Sequence, residues 1–160
     1  MITIGIDIGL TGAVALIDAE RQVLEDIPTT NDARGKRLDG WRLIRLLREL
    51  APVQLAAQVV FEDVRPRPNP ARGTSIITEG SLMRSRGIVE AVLDIMRPAH
   101  VHIVTPQAWK RHFGLIGAKK DGARELALKL YPQTSGVLAR KKDHNRADAL
   151  LLAHYAKTVL

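Results

Sequence analysis

The chain opens with strict alternation. In Ile2-Thr3-Ile4-Gly5-Ile6-Asp7-Ile8 the isoleucines share one side, and Thr3, Gly5 and Asp7 share the other. Period two predicts a strand. Gly9 to Gly12 reads as a turn, Ala13 to Ile17 as a second strand and Val23 to Ile27 as a third. The polar link Asp18-Ala19-Glu20-Arg21 is short, as antiparallel neighbours require. From Trp41 to Leu50 the spacing becomes helical. Trp41, Leu43, Ile44, Leu46 and Leu47 form an apolar stripe opposite Arg42, Arg45 and Arg48, and Pro52 stops the helix. Ala57 to Phe61 is an apolar strand that ends on Glu62-Asp63.

The second half alternates helix and strand. Residues 65–75 hold three prolines and three arginines and predict a basic loop. A helix follows over roughly Ser75 to Met96, then a strand from Val101 to Val104 ending at Thr105-Pro106. A short helix runs through Trp109 to Phe113, and Gly114 to Gly122 is a loop carrying Lys119-Lys120. Ala123 to Leu130 is helical up to Pro132, and the last helix spans about Asp143 to Thr158 after the basic run Arg140-Lys141-Lys142. This order predicts one α/β domain over residues 1–160. Its five-stranded mixed sheet has three antiparallel strands then two parallel ones, with helices on both faces. Right-handed crossovers place the first strand beside the fourth.

Charge adds a partner. The chain carries 24 Lys and Arg against 17 Asp and Glu, a net charge of +7. The excess is lopsided: residues 1–64 hold 7 basic and 10 acidic residues, residues 65–160 hold 17 and 7. A polyanion is the natural partner for such a half. There are no cysteines, which excludes a disulfide scaffold, a thiol nucleophile and a thiolate metal site, and fits a cytoplasmic protein. No apolar run approaches a membrane span, and no signal peptide is evident, so no membrane partner is expected.

Three acids stand where acids are expensive. Asp7 lies on a strand otherwise made of isoleucine and small residues, where a carboxylate needs a partner or a cation. Glu62 ends the fourth strand, with Asp63 beside it as a competitor that alternation alone does not exclude. Asp148 sits on an Ala- and Leu-rich helix, one turn after His144 on the same face. Capping roles would explain each acid singly: a turn for Asp7, a solvated strand end for Glu62, the helix dipole for Asp148. Converging from two strands and a helix, they would suit hard divalent cations instead. Two such ions about 4 Å apart can drive phosphodiester hydrolysis. Lys110, Lys119, Lys120 and residues 140–142 are candidates to hold a phosphate backbone beside them.

Gly5-Ile6-Asp7-Ile8-Gly9, Phe61-Glu62-Asp63-Val64 and Arg146-Ala147-Asp148-Ala149-Leu150-Leu151-Leu152-Ala153 together resemble the RuvC Holliday junction resolvases of the RNase H-like superfamily. Val104-Thr105-Pro106-Gln107-Ala108-Trp109-Lys110, Phe113-Gly114-Leu115 and Lys119-Lys120 resemble the phage and prophage branch. The resemblance spans nearly the whole chain. It implies an RNase H-like fold and a homodimer that cuts four-way DNA junctions with Mg²⁺, or Mn²⁺ in its place, two ions per site. It assigns catalysis and metal binding to Asp7, Glu62 and Asp148. The fourth ligand would fall on Asn145, a poor donor, which leaves His144 or Asp143 as substitutes; His144 is taken as ligand. Lys119 or Lys110 would face the scissile phosphate. DNA contacts would come from Arg65, Arg67, Arg72, Lys110, Lys119, Lys120, Lys141 and Lys142, and the dimer contact from the 75–96 helix.

Three other readings remain. The 5–12 segment also resembles the phosphate-binding hairpin of sugar kinases and actin-like ATPases, but those need two such lobes. A related nuclease could act on flaps, other branched DNA or RNA. A non-catalytic junction binder would keep the basic surface without needing all three acids. His100 and His102 alternate on one face, a metal pair with no third ligand nearby, and Trp41 and Trp109 read as core anchors.

Overall fold

In the computed structural model, residues 1–33, 35–52, 56–65, 76–119 and 121–160 are described. The central sheet is built from β1 (Ile2–Asp7), β2 (Ala13–Ile17), β3 (Gln22–Asp26), β6 (Ala57–Glu62) and β7 (His100–Val104), in the order β3-β2-β1-β6-β7. β1, β2 and β3 are antiparallel, while β6 pairs parallel with β1 and β7 parallel with β6. The first strand thus lies beside the fourth strand of the sheet, as the crossover rule requires. A separate hairpin of β4 (Thr29–Asp32) and β5 (Gly35–Leu38) precedes α1 (Gly40–Leu50). Its residues are polar apart from Leu38, so no apolar alternation announces it; an Arg37–Asp32 ion pair of 2.9 Å ties its arms.

Each sheet face has its own core. Ile4, Ile6, Leu16, Val59 and Phe61 pack against Leu43 and Leu47 of α1 and Val89, Val92 and Leu93 of α2 (Ile76–Met96). Ala13, Ala15, Ile17 and Val60 face Trp109 of α3 (Pro106–His112), Ala127 of α4 (Gly122–Leu130) and the leucines of α5 (His144–Val159). The expected helices on both faces are present. One expected core anchor is not: Trp41 is 66% exposed. Asp39 caps α1 through Arg42 N (3.0 Å), and Gly40 is the first-turn residue turned to α2, where a Cβ would stand 3.3 Å from Ile88 Cγ2. Trp41, the next residue round the helix, points to solvent. Among the described residues no helix is long and apolar enough to cross a membrane.

Helix α5 approaches β1 so closely that no side chain fits between them. A Cβ on Gly5 would lie 2.1 Å from the Ala149 carbonyl oxygen and 2.6 Å from the Ala153 nitrogen. The helix answers with Ala147, Ala149, Ala153 and Ala156, all buried. Gly5→Ala is therefore expected to force backbone apart at a cost of roughly 3 kcal/mol or more. Thermal denaturation should show a Tm lower by about 6–12 °C; an unchanged Tm would contradict this packing.

Candidate functional site

Register settles which acids meet. Ile6 pairs with Phe61, so Asp7 and Glu62 come next on adjacent parallel strands. Thr3 and Gln58 lie on the same face as these acids and share a hydrogen bond of 2.9 Å. Glu62 therefore projects toward α5 with Asp7. Asp63 projects to the other side, where it binds Arg86 (2.7 Å) and Arg65 (2.8 Å); the Arg86 hydrogen bond above all holds its carboxyl below the usual range. The Gly5 contact brings the start of α5 over the ends of the same strands, and with it Asp148. The loop after β1 is equally tight, since a Cβ on Gly12 would meet the Asp7 carbonyl oxygen at 2.0 Å.

The three acids feel one another. Burial, then the charges of Asp148 and Glu62, push Asp7 up to about 8 against the pull of Lys110. Burial likewise raises Asp148 to about 6, with Glu62 adding to it and Lys110 and His144 opposing. Among the described residues no donor hydrogen-bonds to the Asp7 or Asp148 carboxylate, and no three His, Asp or Glu side chains are gathered closely enough to enclose a metal ion. Glu62 does have a donor: the buried Trp109 indole N–H, 2.7 Å from its Oε1. The donor set is oxygen-rich, anionic and largely unpaired, which fits a hard divalent cation.

The remaining candidates separate. His144 is half-buried and acts electrostatically on Asp148 one turn away, its Nδ1 3.3 Å from the Lys141 carbonyl oxygen. Asp143 is buried and closed on Arg140 (2.7 Å), whose side chain holds its carboxyl low. Asn145 donates to the Thr11 backbone carbonyl and hydroxyl. Lys110 and Lys119 line one depression with Asp148. Lys36 of the β4–β5 hairpin, Arg140 and Lys142 line another with His144, Asn145 and Thr11. Lys36 was not visible as a candidate, because the hairpin that delivers it has no apolar signature. Arg65 is exposed and paired with Asp63, and Lys141 is exposed. Arg67, Arg72 and Lys120 lie outside the described residues. His100 and His102 stack 6.2 Å apart at the sheet edge, with no third ligand among the described residues.

The fold has counterparts of known structure. Thermus thermophilus RuvC in complex with a Holliday junction substrate superposes with a TM-score of 0.58 at 16% identity, over 99% of this chain and 97% of that one. The chain has the RuvC fold. The RuvC architecture extends to the yeast mitochondrial Holliday junction resolvase Ydc2, with a TM-score of 0.59 at 14% identity, covering 94% of this chain and 75% of that one. By sequence, the chloroplastic Holliday junction resolvase MOC1 of Chlamydomonas reinhardtii is 35% identical over 113 residues. That match covers 68% of this RuvC-like chain, which spans only 12% of the length of MOC1. No family model matches the chain.

The raised acid at Asp7 has a consequence for stability. Its folded pKa of about 8 lies above the ordinary 3.8, so between those values the folded state holds the extra proton. Stability then falls as pH rises through that window. Without divalent cations, Asp7→Asn is expected to raise Tm by a few degrees at pH 8 and to leave it unchanged near pH 4. A lowered Tm at pH 8 would show that the charge is compensated within the fold.

Proposed function

We propose that this chain is a metal-dependent, structure-selective endodeoxyribonuclease that hydrolyses phosphodiesters at four-way DNA junctions as a homodimer. The observation that carries the reading is the approach of Asp7, Glu62 and Asp148, from β1, β6 and α5 of a RuvC fold, with Asp7 and Asp148 raised first by burial and then by the charge of neighbouring acids. A binding module that only holds DNA needs the basic surface and gains nothing from three acids placed together. Bound divalent cations, Mg²⁺ or Mn²⁺ and two per site, would neutralise the acids, polarise the phosphate and make water a nucleophile near neutral pH.

The chain's own residues divide the remaining work. Asp7, Glu62 and Asp148 supply the oxygen donors. His144 is the fourth donor, since Asp143 and Asn145 are engaged elsewhere. Lys119 and Lys110, which share a depression with Asp148, face the scissile phosphate. Lys36, Lys141, Lys142 and Arg65 hold the backbone on either side, and Arg67, Arg72 and Lys120 are assigned to it from the sequence.

The second copy would sit on α2. Ile77 and Ile95 are 84% and 64% exposed and lie eighteen residues apart, five turns along one helical face. A Cβ at Gly80 or Gly87 would meet nothing, so the same helix has room for another backbone to approach.

Asp7→Asn removes a ligand and no phosphate contact. It is expected to bind a labelled junction within about threefold of the unmutated chain and to cut it roughly 100–1,000-fold more slowly, on the order seen when one preorganised electrostatic group is removed. Unchanged cleavage would remove Asp7 from catalysis and overturn the three-acid site. Binding of either form should weaken steeply with salt, by roughly 0.9 in log–log slope for each phosphate neutralised. Ile77→Glu with Ile95→Glu should turn a dimer into a monomer by light scattering; a mass unaffected by the pair would remove α2 from the interface.

A further inference from the structure

Helix α3 reaches the acids twice from adjacent positions. Thr105 caps it, its Oγ1 accepting from Ala108 N at 3.2 Å, and Pro106 starts it. Trp109 then enters the core with no exposed surface, edge-on to Phe113. An indole carries a single donor and no acceptor, so a buried one must find a partner. Its partner is Glu62 Oε1 at 2.7 Å, a residue 47 positions earlier. The next residue, Lys110, lays its ammonium 5.1 Å from the centre of the same ring, and its charge acts on both Asp7 and Asp148.

We propose that Trp109 is a positioning residue for the acid site: its N–H fixes one oxygen of Glu62, leaving the other free for a cation, and its ring face holds the Lys110 ammonium toward Asp7 and Asp148. This rests on the cation-binding reading above but adds a residue that touches neither cation nor DNA. A donor fixed in the core confines the Glu62 carboxylate at no entropic expense when the cation arrives, and a bond to a charged acceptor is among the stronger kinds. The ring–ammonium contact draws Lys110 inward from solvent. Such supporting partners typically account for 10–100-fold in metal affinity or activity.

The test uses the full chain with ¹⁵N-labelled tryptophan, which gives two indole resonances; Trp41→Phe assigns them. The Trp109 indole resonance is expected to move when Mg²⁺ is added and to move upfield in Glu62→Gln, where the acceptor loses its charge. Trp109→Phe keeps the ring and removes the donor. It should bind Mg²⁺ about tenfold more weakly by calorimetry. Its kcat should fall at low Mg²⁺ and recover at high Mg²⁺, while the KM for a junction stays unchanged. A resonance indifferent to both Mg²⁺ and Glu62→Gln, or an unchanged Mg²⁺ affinity in a folded Trp109→Phe, overturns the proposal. Should Trp109→Phe fail to fold, the resonance of the unmutated chain decides alone, movement on Mg²⁺ supporting the proposal and none overturning it. A chain whose resonance moves but which cuts no junction loses the substrate reading and keeps this one; cleavage with an unmoved resonance does the reverse.

Discussion

Everything at the acid site depends on how near α5 comes to β1. Gly5 has no side chain because the Ala149 carbonyl occupies the place where a Cβ would be. Helix and strand meet backbone to backbone, and the alanines of α5 make that possible along its buried length. A larger residue at this contact would lift the helix, and Asp148 would move away from Asp7. The parallel β1–β6 register does the equivalent for Glu62, which is carried to the Asp7 side by its pairing and tied there by the Trp109 indole N–H. Packing, not attraction, holds the three acids together.

That arrangement runs against electrostatics. Burial and repulsion raise Asp7 and Asp148, so the metal-free fold carries a penalty at neutral pH. The fold bears it because each side of the sheet carries an extensive apolar core, and the buried polar pair beneath the acids, Thr3 and Gln58, is satisfied by its own hydrogen bond. Sites that perform acid–metal chemistry are where such local conflicts are expected. The surroundings answer with cations placed nearby but not in contact: Lys110 and, along the two flanking depressions, Lys119, Lys36 and Lys142.

Much of the sheet was legible because its signals are local. Ile2 to Ile8 alternates, the prolines punctuate, and Asp7 and Asp148 are visible as acids on apolar runs. What was hidden depends on contacts across space. Glu62 and Asp63 are equally placed by alternation, and only the register with β1 and the Arg86 pair separate them. The β4–β5 hairpin is polar on both sides, so it leaves no pattern, and Lys36 came with it unseen. Trp41 lies on the apolar side of a helical wheel, yet the neighbour that meets α2 is Gly40. The engagement of Asn145 by Thr11 and of Glu62 by Trp109 joins residues 134 and 47 positions apart, beyond any motif.

The central claim is that this site reads branched DNA and cuts it symmetrically. It is tested most directly by giving the unmutated chain a labelled four-way junction beside duplex, flap and RNA–DNA hybrid, in Mg²⁺ and in EDTA. The account predicts paired nicks at symmetric positions on the junction alone, abolished by EDTA. Cutting of flap or hybrid in preference to the junction, or cleavage that persists in EDTA, would contradict it.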